Sequence, residues 1–302
     1  MTIALKYESL KVPIDTSVTL HMMRFYRDKR QLGAPVFMLH SNLQDGSSFY
    51  SPDGHGLACY LAKQGYDVYV ADARGKGRSL PSINTYADSN NHQLITQDIP
   101  AFVQKIVAKR GDTPQIWVGH GWGGVMLASY YARYGNELCD IERMVHMGVR
   151  KFCTDDSLKK WLIIDVLWGK LARVLIAIVG YFPAKILRLG KSNESAGNRA
   201  DFLLWSQRRE WVDPTDAFDY GEAIQQRSVP PSYYFSSMQD RVYGHPDDVR
   251  HFMQSLGPHD GRMMVLSRDS GNLRNYNHLD MILHKESDQD HFPLLLDWLE
   301  SV

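Results

Sequence analysis

Apolar and polar positions alternate along the first half of the chain in a repeating strand-then-helix rhythm. Residues 5–12 and 18–27 read as two strands separated by Pro13-Ile14-Asp15. Residues 36–40 are a short apolar run that ends in a polar loop, the pattern of a buried strand. An apolar-periodic segment at 57–64 reads as a helix stopped by Gly65, and 66–71 as the next strand. Residues 93–110 are helical by period, with Pro100 placed in the first turns or at a kink, since it lacks the N–H of a helix interior. Strand 115–118, helix 125–134 and strand 141–147 follow. Repeated β-α-β-α predicts a mostly parallel sheet with helices on both faces.

The rhythm breaks after Gly148. Residues 155–226 look helical, carry Trp161, Trp168, Trp205 and Trp211, and show no obvious strand. Alternation resumes with a strand at 232–238, a helix near 247–256, a strand at 263–267 and a last helix through 294–300. This predicts one domain over 1–302 with a helical insertion at 151–228. There are no low-complexity tracts and no internal repeat. In the stretch 161–182, Asp165, Lys170 and Arg173 share one arc of the helix, an amphipathic pattern with a wide apolar face. Its longest uncharged run, 174–184, is well short of the roughly 20 residues needed to span a bilayer. Lys185, Arg188 and Lys191 follow it, which allows peripheral contact with an acidic membrane surface; a packed cap is the plainer reading.

Composition narrows the function classes. The chain has 302 residues, 44% of them apolar, with 34 basic and 34 acidic side chains and no net charge. That balance argues against a nucleic-acid binder, which would show a basic excess, and against a disordered chain. Three scattered cysteines, Cys59, Cys139 and Cys153, make neither a disulfide framework nor a paired metal site. The N-terminus shows no charged segment followed by an apolar run, so a cytoplasmic location is expected.

Ligands of open parallel sheets bind at the carboxyl ends of the strands, so the strand-to-helix turns hold the chemistry. The most informative is Gly119-His120-Gly121-Trp122-Gly123-Gly124. As letters it matches the dinucleotide fingerprint G-x-G-x-x-G. The context disagrees: it follows about the fifth strand, the next strand ends in Gly148-Val149-Arg150 with no acid for a ribose, and Trp122 crowds the helix start. No cofactor is expected. The second reading is a nucleophile elbow, G-x-S-x-G, with Gly121 at the serine position. Glycine relieves the backbone strain of that turn and removes the atom that would attack a carbonyl. His40 and the turn Ser41-Asn42 close the third strand. Asp72-Ala73-Arg74-Gly75-Lys76-Gly77-Arg78-Ser79 follows the fourth. Asp240 lies just past the strand at 232–238, and Asn277-His278-Leu279-Asp280 follows the last strand. The order elbow, acid, histidine is that of the α/β-hydrolases.

On these residues the chain resembles the α/β-hydrolase superfamily, and within it serine hydrolases related to esterases and acid-lipase-like enzymes. The resemblance implies an α/β-hydrolase fold, a mostly parallel eight-stranded sheet flanked by helices, with the insertion as a helical cap. It implies that Asp240 is the triad acid, His278 the base, and the backbone N–H groups of Asn42 and Trp122 the oxyanion hole. A small-molecule ester or acyl ligand is the expected partner, with no nucleic acid. Two positions depart from the pattern: Ser41 stands where the family usually has glycine, and Gly121 where it has serine. Asp213, Asp216 and Asp219 are rival acids without a preceding strand. His40, and the loop from Arg74 to Ser79, read as architecture, and His120 as a packed or hydrogen-bonded histidine pointing away from the site. No histidine spacing marks a metal site. With no oxygen at residue 121, the parent activity, hydrolysis of an apolar acyl ester, is expected to be absent or nearly so. The alternatives are a non-catalytic binder of a hydrophobic ligand or protein partner, and direct activation of water by His278 and Asp240.

Overall fold

The computed structural model describes residues 5–27, 32–85, 89–152 and 170–301. Strands β1 (Leu5–Pro13) and β2 (Thr19–Arg27) pair antiparallel, and β2 pairs antiparallel with β4 (Asp67–Asp72). All other pairings are parallel. They join β3 (Pro35–Leu39), β5 (Gln115–His120), β6 (Ile141–Met147), β7 (Ser232–Ser237) and β8 (Gly261–Leu266) in the order β1-β2-β4-β3-β5-β6-β7-β8. The expected eight-stranded, mostly parallel sheet is present, and its architecture is that of the α/β-hydrolase fold.

The central strands β3, β4 and β5 are buried at every residue. Side chains alternate across the sheet. Phe37, Leu39, Tyr69 and Trp117 enter one core with helices α2 (Ile99–Arg110) and α3 (Trp122–Tyr134). Val36, Met38, Val68, Ile116 and Val118 enter the other, with α1 (Leu57–Gln64) and the C-terminal helix His291–Glu300. Pro100 lies in the first turn of α2, where the missing N–H is least costly, and a wider π turn, Leu94–Asp98, leads into it. Helix α3 starts at Trp122, three residues earlier than its apolar period suggests, because the chain turns directly from strand to helix at Gly121.

Between β6 and β7 the described residues form helices Ala172–Val179, Ala196–Gln207 and Tyr220–Gln225, with isolated bridges Phe182–Glu194 and Val212–Asp219. Trp161, Asp165 and Trp168 of the amphipathic stretch, and Cys153, lie outside the described residues. Helix Ala172–Val179 ends at Gly180, at φ +89. Among the described residues no helix is long and apolar enough to cross a membrane.

Candidate active site

The turn from β5 to α3 passes through Gly121 at φ +50 and ψ −123, a region that residues bearing a Cβ enter only under strain. Gly121 N–H donates to the Met147 carbonyl at 2.9 Å, which holds the turn against the end of β6. Strand and helix cross so closely that a Cβ on Gly119 would fall on Gly124, and one on Gly123 on the carbonyls of Leu39 and His40. These glycines are therefore requirements of the turn, not of a bound pyrophosphate.

The loop after β3 is fixed through His40. Its Nδ1 donates to the Ser41 carbonyl at 2.8 Å, and its Nε2 accepts from Ala73 N–H at 3.1 Å. Burial holds the imidazole below its ordinary pKa despite the Ser41 hydrogen bond and the nearby Asp72, as suits a neutral ring bridging two loops. Asp72 accepts from His21 Nδ1 and from the N–H groups of Gly46 and Arg78. Arg74 is buried on Asp98 at 2.6 Å. The run from Asp72 to Ser79 is thus a scaffold beneath the site. On top of it sits Asn42, whose side-chain Nδ2 is buried without a partner and whose backbone N–H makes no hydrogen bond among the described residues.

Asp240, just past β7, meets His278 from the long loop that follows β8. His278 Nδ1 donates to Asp240 Oδ2 at 2.6 Å, and Tyr243 N–H donates to Asp240 Oδ1 at 3.0 Å. Burial pushes the Asp240 carboxyl up. The imidazole charge and hydrogen bond, the Tyr243 N–H and the nearby Arg150 guanidinium outweigh it, so the group sits below the usual carboxylate range. Arg150 is itself buried, and its terminal nitrogens make no hydrogen bond among the described residues.

Asn42, Gly121, Trp122, Asp240 and His278 line one cavity of about 380 Å³, together with Ser41, Leu43, Arg150, Leu189, Phe202, Val242 and Tyr243. The sequence-selected residues are therefore brought together. Trp122 closes the floor, with its ring against Phe202 at 4.8 Å and Trp205 at 6.0 Å on helix Ala196–Gln207. The rival acids lie elsewhere: Asp213 and Asp216 share Arg133, and Asp219 caps helix Tyr220–Gln225. His92, Asp213 and Asp216 do bring potential ligand atoms within 4.8 Å of one another. Arg133 and the Tyr220 hydroxyl already occupy the acids.

Three residues play a supporting part that the sequence does not announce, although His120 is expected from it to be packed or hydrogen-bonded. His120 does not point away from the site: its Nε2 donates to the His278 carbonyl at 2.9 Å, and the two rings lie 4.2 Å apart. Burial and the neighbouring His278 hold the His120 imidazole well below its ordinary pKa, so it acts as a neutral strut. Gly148, at φ +61, leaves room for the His278 ring, and Gly244 leaves room for Asp240 Oδ2. Their only sequence signal is glycine at a strand end and after an acid, which many loops share.

Comparison with known proteins finds the same fold. Residues 43–149 match the family described as serine aminopeptidase, S33. A bifunctional esterase/perhydrolase of Acinetobacter calcoaceticus is 31% identical over 113 residues, which is 37% of this chain and 37% of that relative's length. Human gastric triacylglycerol lipase is 23% identical over 84% of this chain and 77% of the lipase. Among solved structures, the 2-hydroxy-6-oxo-6-phenylhexa-2,4-dienoate hydrolase of Rhodococcus sp. strain RHA1 superposes with a TM-score of 0.62 at 13% identity, covering 99% of this chain and 100% of that one. The chain has the α/β-hydrolase fold, and the relatives it resembles include an esterase and a lipase.

Proposed function

We propose that the chain hydrolyses carboxylic esters with an apolar acyl part, with His278 as general base and Asp240 holding its tautomer. The observation that carries this reading is the 2.6 Å bond from His278 Nδ1 to Asp240, which leaves Nε2 facing Gly121 across the cavity. In this reading the substrate carbonyl lies over Gly121, and the Asn42 N–H receives the developing oxyanion, since the expected second donor, Trp122 N–H, is engaged by Ser41 Oγ at 3.1 Å. Leu43, Leu189, Phe202 and Val242 surround the acyl group. Contact of the cap with lipid belongs to the same reading, supported by exposed Val174, Ile178 and Ile186 beside the cavity wall residue Leu189.

Gly121 rules out an acyl-enzyme on the elbow itself. The competing reading, a non-catalytic binder of the same apolar ligand, rests on that absence. An oriented and ionised Asp240 beside a histidine favours turnover, because binding alone needs no base. The test is a series of p-nitrophenyl esters of rising acyl length, assayed with the wild-type chain and with His278→Ala. Hydrolysis above buffer that drops about 10²–10⁴-fold in the variant supports the reading. Rates equal to buffer for both, with a lipid copurifying in native mass spectrometry, would favour the binder.

A further inference from the structure

The two departures from the family pattern, one in the loop after β3 and one at the elbow, meet at a single point. A Cβ built on Gly121 would overlap Ser41 Oγ and stand 2.9 Å from both Ser41 Cβ and His278 Nε2. The Ser41 hydroxyl thus occupies the space that a serine side chain at the elbow would fill. It accepts a hydrogen bond from Trp122 N–H at 3.1 Å, the first amide of the thirteen-residue helix α3. It also faces the cavity shared with His278. His278 Nε2 makes no hydrogen bond among the described residues. A side chain on residue 121 and that of Ser41 would therefore compete for one site.

From this we infer that Ser41 is the nucleophile, presented from the oxyanion loop rather than from the elbow. The inference rests on the esterase reading above and names the atom that reading lacks. Gly121 is then no lesion: without it, Ser41 has no room. The Trp122 amide at the positive end of a helix stabilises negative charge on Oγ. The loop is rigid enough to present it, since His40 ties the Ser41 carbonyl to the end of β4.

The steps balance as in any acyl transfer. A lone pair of Ser41 Oγ forms a bond to the ester carbonyl carbon, the C=O π pair moves onto the carbonyl oxygen, and the hydroxyl proton passes to His278 Nε2. The tetrahedral species collapses, breaking the bond to the alkoxy oxygen, which takes the proton from Nε2 and leaves as the alcohol. Water then attacks the acyl-serine carbonyl, giving its proton to Nε2. The C–Oγ bond breaks, Oγ recovers the proton, and the carboxylic acid departs. Asn42 brings two unpaired donors, its backbone N–H and its buried Nδ2, to the oxyanion.

The test is covalent trapping with a fluorophosphonate, read by intact mass and by peptide mapping, alongside ester turnover. Wild type is expected to gain one adduct, on Ser41, and Ser41→Ala and His278→Ala to gain none. Ser41→Ala is expected to lose turnover by at least about 10³-fold, with its circular dichroism and melting curve unchanged. The exchange variant, Ser41→Gly with Gly121→Ser, is expected to carry the adduct at position 121. That outcome shows that the two positions serve one site, and it is available even where a single variant folds poorly. Turnover that survives Ser41→Ala, or an adduct elsewhere in the wild-type chain, overturns the inference while leaving the esterase reading intact. A wild-type chain with neither turnover nor adduct overturns both.

Discussion

His278 owes its orientation to three neighbours, His120, Asp240 and Gly148. Its carbonyl is held by His120, its Nδ1 by Asp240, and its ring lies against the bare Cα of Gly148. A methyl group at residue 148 would stand 2.9 Å from His278 Nδ1, where the only relief is to push the ring off Asp240. The φ of +61 adds backbone strain of about 1–3 kcal/mol for a residue with a Cβ. Gly148→Ala is therefore expected to lower the urea midpoint. It should also slow fluorophosphonate labelling about 10²-fold, the usual consequence of displacing a catalytic group by an ångström. A variant that loses stability yet labels at the wild-type rate would show that Gly148 serves the fold and not the histidine.

At the scale of elements, the seam between the insertion and the loop after β3 is the feature that assembles the site. Glu194 is fully buried. It takes an ion pair from Lys76 at 2.7 Å and hydrogen bonds from the N–H groups of Leu43 and Ser195 and from Asn198 Nδ2. Lys76 also donates to the Asn193 carbonyl, and Ser192 N–H to that of Leu43. The chain on either side of Glu194 is therefore tied to the loop that carries Ser41 and Asn42. Lys76→Met should leave a buried carboxylate without its counter-ion. Loss of one partner of such a pair typically costs about 3–5 kcal/mol, which a denaturation series would show as a large drop in midpoint. An unchanged midpoint would mean that water or the other donors already satisfy Glu194. This seam also marks where the sequence stopped being legible. The succession of strands and helices, the elbow glycines and Asp240 were readable because apolar runs announce the strands they follow, and His278 as the histidine of the loop after the last strand. Lys76 and Glu194 meet across 118 positions of chain with no periodic signal on either side. Ser41 was legible only as a departure from a pattern. That its hydroxyl falls on the space above Gly121 depends on the approach of two loops, which no local spacing encodes.

For the whole molecule, the buried histidines decide how the fold meets acid. His40, His120, His146 and His291 are all buried, and burial holds each below its ordinary pKa, His146 at about 3 and His291 at about 4. A histidine depressed in the folded state favours folding above the unfolded value of about 6.5, and that contribution is lost as pH falls toward the folded value. Asp201 opposes them with one proton, since burial pushes its carboxyl up to about 6, and Asp98 and Asp288 are raised in the same way. The depressed histidines outnumber the raised acids, so unfolding takes up protons and stability falls as pH drops below about 6.5. His146 isolates one share of this slope, because both its nitrogens lack partners among the described residues and its ring stacks on Tyr234 at 4.7 Å, with its edge toward Phe252. His146→Phe keeps the stack and removes the proton. Urea denaturation from pH 7 to 4.5 should then show a dependence shallower by ~1.4 kcal/mol per pH unit, one proton's worth. Identical slopes in the two proteins would mean that the native chain opens locally to protonate His146, and that the stack on Tyr234 is not closed to water.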